Sequence, residues 1–83
     1  MKNLGPKSLG VLQRAGITTL EDLRRIGAVE AYRMAEAVDA SVSLNLLWAL
    51  EGAILDEPWQ SVAREHRTRL LLSLDDHRRS RRK

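Results

Sequence analysis

Apolar positions along the chain recur mostly three and four residues apart, in short stretches closed by turn and cap signals, and this predicts about five short helices. Asn3-Leu4-Gly5-Pro6 reads as a tight turn, with Pro6 suited to the first helical position. A helix follows over about residues 7–15, with Leu9 and Leu12 on one face and Gly16 as its C-terminal stop. Thr18 with Glu21, or Thr19 with Asp22, offers a capping box for a second helix through Leu20, Leu23 and Ile26, ended by Gly27. A third helix spans Ala28–Val38, with Ala31, Ala35 and Val38 inward, and Asp39-Ala40-Ser41-Val42 forms a loop. Ser43 can cap a fourth helix, Leu44–Leu55. Asp56-Glu57-Pro58 then opens a fifth, whose inner face reads Trp59, Val62, Ala63, His66, Leu70 and Leu74. From Asp75 onward the chain is polar and is expected to fray.

The fourth helix is the expected core. Leu44, Leu46, Leu47, Trp48, Leu50, Ile54 and Leu55 spread over most of its circumference, and a helix apolar nearly all round is buried by its neighbours. Glu51 falls among them and needs an arginine or backbone amides as partner, because an unpaired buried carboxylate costs several kcal/mol in order of magnitude. Gly52 allows a close approach, and Asn45, on the same stripe, is placed to bond loop backbone.

Composition narrows the class. The chain has 83 residues, 43% of them hydrophobic and 30% charged, with no cysteine, so it is one small soluble domain held by packing rather than by disulfides or a cysteine zinc site. Leu44–Leu55 is too short to cross a bilayer, and nothing near Met1 resembles a secretory signal, so the expected setting is the cytoplasm, away from membranes. The net charge is +3, but five of the 14 bases fall at Arg78, Arg79, Arg81, Arg82 and Lys83. Residues 1–77 therefore hold 9 bases against all 11 acids, a net of −2. The expected division is a helical domain over residues 1–75 and a basic disordered tail over 76–83. Such a tail either touches phosphates without sequence preference or serves as a solvated solubility segment.

Asn3-Leu4-Gly5-Pro6-Lys7-Ser8 resembles the helix-hairpin-helix pattern, whose hairpin reads Gly-hydrophobic-Gly before Pro-Lys-Ser/Thr. A sharp bend leaves N–H groups open at a helix N-terminus, and that end attracts a phosphate. Asn3 stands where the pattern has its first Gly, and Asn tolerates positive φ. The plainer reading is a turn that only starts a helix. The candidate nucleic-acid contacts are Asn3, Gly5, Lys7, Ser8 and Arg14, with Arg78, Arg79, Arg81, Arg82 and Lys83 of the tail. Gly5-Pro6-Lys7-Ser8 lacks the spacing of a nucleotide-binding loop. His66 and His77 have no acidic cluster at ligand spacing, and no nucleophile stands beside a base, so the expectation is a non-enzymatic domain without metal or cofactor. Trp48 and Trp59 are expected to pack in the core rather than stack on bases.

The hairpin, Ala15-Gly16-Ile17-Thr18-Thr19-Leu20-Glu21-Asp22-Leu23, Gly27-Ala28-Val29-Glu30-Ala31-Tyr32-Arg33, Ser43–Ala53 and Trp59 together resemble the C-terminal domain of the TfoX (Sxy) family over roughly residues 3–74. The resemblance implies a small all-α bundle of helix-hairpin-helix-like character. It implies kinship to bacterial regulators of DNA-uptake competence, which act with the cyclic-AMP receptor protein on transcription. Two-domain members carry an N-terminal α/β domain ahead of this one. The expected function is a regulatory or adaptor domain whose partner is DNA or a transcription-associated protein. The alternative is a protein-interaction or self-association module that binds no nucleic acid.

Overall fold

The computed structural model describes residues 3–80. They form six helices: α1 (Pro6–Arg14), α2 (Leu20–Ile26), α3 (Ala28–Val38), α4 (Leu44–Leu55), α5 (Trp59–Glu65) and α6 (Arg67–Ser80). The all-helical expectation holds, with six helices among the described residues rather than about five.

Local chemistry sets most of the ends. Gly16, at φ 90°, turns the chain after α1 and lets the Ile17 N–H reach the Leu12 carbonyl at 2.8 Å. Of the two capping boxes the sequence offered, Thr19 with Asp22 is half made: the Thr19 hydroxyl accepts from the Asp22 N–H at 3.0 Å, while the Asp22 carboxylate accepts from the Thr18 N–H at 3.3 Å. Arg25 pairs with Asp22 at 3.3 Å. Gly27, at φ 89°, both ends α2 and starts α3. Asp56 closes α4 in the left-handed conformation at φ 58°.

The added helix boundary falls at His66. The sequence carries one apolar face from Trp59 to Leu74, but His66 leaves helical geometry at φ −118°, ψ 4°. The break redirects the chain: α5 lies on α4, whereas α6 turns onto α3. Leu70 and Leu74 become buried as a result. The helix also continues to Ser80, past the point where its polarity predicted fraying. Its last turns are fastened by charge: His77 pairs with Glu30, and Arg78 with Glu36 at 3.4 Å, both partners lying on α3.

The core centres on α4, where Leu46–Ala53 are buried without interruption. Leu12, Ile17, Leu23, Leu47, Leu50, Val62 and Leu70 are fully enclosed, each worth roughly 1.5–3 kcal/mol of burial. Trp48 is buried and Trp59 packs against this cluster, as expected. Glu51 finds its partner in Arg69, 2.6 Å away on α6. Three expected core positions are exposed instead: Val38, Leu44 and Leu55 sit at helix ends with no element beyond them to cover them.

Candidate nucleic-acid interface

The amino-terminal bend starts at Asn3, whose φ of 72° is the left-handed conformation that asparagine tolerates. Its carboxamide does not face solvent as a ligand-binding group. It turns to the α4–α5 connection, where Nδ2 donates to the Glu57 carbonyl at 2.8 Å and Oδ1 accepts from the Trp59 N–H at 3.2 Å. One side chain thus satisfies both backbone groups that flank Pro58. Gly52 lies beneath this clamp, and a Cβ there would stand 2.5 Å from Asn3 Nδ2 and 2.6 Å from the Glu57 oxygen. The close approach expected of Gly52 is made by this loop. Asn45 is exposed.

Beyond Asn3 the bend is open. Gly5 is the N-cap of α1 and gives it no side-chain hydrogen bond, and Gly5, Pro6 and Lys7 are exposed. The first intrahelical donor is Leu9, which bonds Gly5 at 2.9 Å. The Lys7 and Ser8 amides stand ahead of it in the first turn, where a helix presents its unpaired donors and positive end. Ser43 likewise heads α4 without a side-chain cap bond. The first turns of α1 and α4 line one cleft of about 220 Å³, with Lys7, Ser8, Ser41, Ser43 and Asn45 on its wall.

Asp39 also lines this cleft. Its carboxylate accepts from the Ser41 hydroxyl at 2.6 Å and from the Ser41 N–H at 3.0 Å. Those bonds, helped by the nearby charges of Lys7 and Arg14, hold its pKa below the ordinary carboxylate value. The cleft therefore carries its own anion, which offsets part of the positive field of Lys7 and Arg14. Arg14 is exposed at the last turn of α1 and does not line the cleft.

The sequence-predicted site residues thus separate. Lys7 and Ser8 meet in the cleft with Asn3 at its edge, and Gly5 begins the helix beside it. Arg78 is engaged by Glu36, and Arg79 by Asp75 at 2.8 Å, and neither lines the cleft. Arg81, Arg82 and Lys83 lie outside the described residues. Asp39, Ser41 and Ser43 were legible as loop and cap residues, but no sequence signal placed that loop against the amino-terminal bend.

The geometry defines a small helical domain built round one buried helix, with an open polar cleft where two helices begin. The chain belongs to the TfoX C-terminal domain family, whose model matches residues 1–74. Comparison with curated proteins and with solved structures yields no match. Among the described residues no helix is long and apolar enough to cross a membrane.

Proposed function

We propose that this domain is a non-enzymatic regulatory module of the competence type that contacts DNA through its phosphates, at the cleft between the first turns of α1 and α4. Family membership supports the regulatory part of the reading. The cleft supports the rest: two uncapped helix starts, Lys7 and serine hydroxyls open together to solvent. Each of these groups favours a phosphate oxygen and none reads a base, so the contact is neutral to sequence. Arg14, Arg78, Arg79, Arg81, Arg82 and Lys83 add long-range attraction to the same partner.

Fluorescence anisotropy with a labelled duplex tests the reading. Log K should fall against log salt with a slope of about 0.9 for each phosphate engaged. Lys7→Ala should weaken binding to every sequence alike and lower that slope by about 1. Asp39→Asn keeps an acceptor for Ser41 while removing the competing charge, so it should tighten binding several-fold. A chain ending at Ser80 separates tail from cleft and preserves the His77 and Arg78 pairs that hold α6. Complete loss of binding in that chain, or indifference to Lys7→Ala, would refute the cleft.

A second reading, docking of a protein partner or of another copy, is favoured by one observation. Val38 and Leu44 are exposed at the two ends of the loop that lines the cleft. A partner burying them would make the uncharged Leu44→Gln dissociate the complex while leaving DNA affinity little changed.

A further inference from the structure

Glu57 stands a whole helix ahead of Glu65 and His66, which adjoin each other in the sequence. The fold brings one donor atom from each within 4.8 Å of the other two. We propose that these three side chains form a binding site for a divalent transition-metal ion of the zinc class. The site is separate from the cleft and does not depend on the DNA reading.

The separation of His66 from Glu57 is longer than a hydrogen bond. His66 Nε2 stands 3.7 Å from Glu57 Oε1. That exceeds the roughly 2.7–3.2 Å of an N–H···O bond. It lies near the edge of a tetrahedron whose metal–ligand bonds are about 2.1 Å, since such donors stand about 3.4 Å apart. Small side-chain rotations close the remainder.

The charges call for a cation. Two carboxylates converge on one imidazole, and among the described residues no lysine or arginine forms an ion pair with Glu57 or Glu65. A divalent ion balances both carboxylates. One nitrogen donor with two oxygen donors suits zinc, whereas calcium and magnesium prefer oxygen throughout. Glu57 and His66 are half-buried, which leaves room for water at a fourth position.

The backbone beneath the ligands is already fixed. Asn3 holds the Glu57 carbonyl at 2.8 Å, and the His66 N–H bonds Val62 at 2.8 Å while its carbonyl accepts from Leu70 at 3.0 Å. Glu57 precedes α5, whereas Glu65 and His66 close it. An ion bound to all three would clip the two ends of that helix together and fasten the α5–α6 break.

Calorimetric titration of the metal-free full chain with zinc chloride tests the proposal. The expected result is one ion per chain with micromolar affinity, a melting temperature that rises with zinc, and magnesium at least tenfold weaker. His66→Ala and Glu57→Gln should each weaken zinc at least tenfold, and His77→Gln should leave it unchanged. Glu65→Gln, at an exposed helix end, gives the same reading should His66→Ala fail to fold. No binding at millimolar zinc, affinity undiminished from the unaltered chain in Glu57→Gln and Glu65→Gln, or loss of binding in His77→Gln would each overturn the site.

Discussion

A methyl group at position 52 would meet both Asn3 Nδ2 and the Glu57 carbonyl closer than real Cβ atoms come. The side chain can swing away, but the carbonyl belongs to the turn itself. Gly52→Ala is therefore expected to cost about 1–3 kcal/mol in urea denaturation. Asn3→Ala leaves two turn groups to find water and should cost about 1–2 kcal/mol. The two should be less than additive, because removing the carboxamide relieves one of the clashes. Asp22 and Asp39 contribute to the acid limb of stability. Thr18 and Arg25 hold Asp22 below its ordinary value of 3.8, chiefly through the Thr18 N–H, and Ser41 does the same for Asp39. A lowered folded-state value means stabilisation present above 3.8 and lost as pH falls through it. The urea midpoint should drop on acidification in that window, and less steeply in an Asp22→Asn, Asp39→Asn chain.

At the scale of elements, the molecule divides by how its helices are held. Leu46–Ala53 of α4 sit in apolar contacts throughout, whereas the last turns of α6 rest on His77–Glu30 and Arg78–Glu36. Pairs of that kind near the surface are weak and salt-sensitive. Amides beyond Asp75 should exchange with deuterium long before those of α4, and faster in high salt. The bounds of α3 and α4 could be read from the sequence because Gly27 and the turn at Asp56 are signals that act locally, and Ser43 stands at the N-cap although its hydroxyl makes no cap bond. The break at His66 could not, because neither glycine nor proline marks it and it follows from where α6 can seat Leu70 and Leu74. The candidate site divides in the same way. Lys7 and Ser8 were visible in a local motif, but their meeting with Ser41 and Ser43 is a tertiary event. The partner of Glu51 was legible as a type of residue, while its position on α6 was not.

The whole molecule has a radius of gyration of 11.8 Å over the described residues, matching the roughly 12 Å of a compact monomer of this length. Small-angle scattering of a dilute sample should give a value close to this. A radius that climbs with concentration would favour self-association, and Leu44→Asp should then restore the monomer value. Attraction to DNA is not a property of the entire surface, because residues 1–77 carry a net charge of −2. On the proposed reading, binding is polar in the geometric sense, with some faces repelled and the cleft turned toward the duplex. Charge-reversal variants on the face away from the cleft should alter association rates and leave dissociation nearly unchanged.

Gly27 is a joint one residue long: α2 ends at Ile26 and α3 begins at Ala28. Nothing there can take up slack, so a single inserted residue would re-aim Leu23 out of its enclosed seat. The connection from Asp39 to Ser43 is longer, folded on itself by the Ser41–Asp39 bonds and seated against the core by Val42. That same connection forms one wall of the cleft. One residue thus sets the phase between α2 and α3, whereas a five-residue turn sets it between α3 and α4, beside the proposed contact.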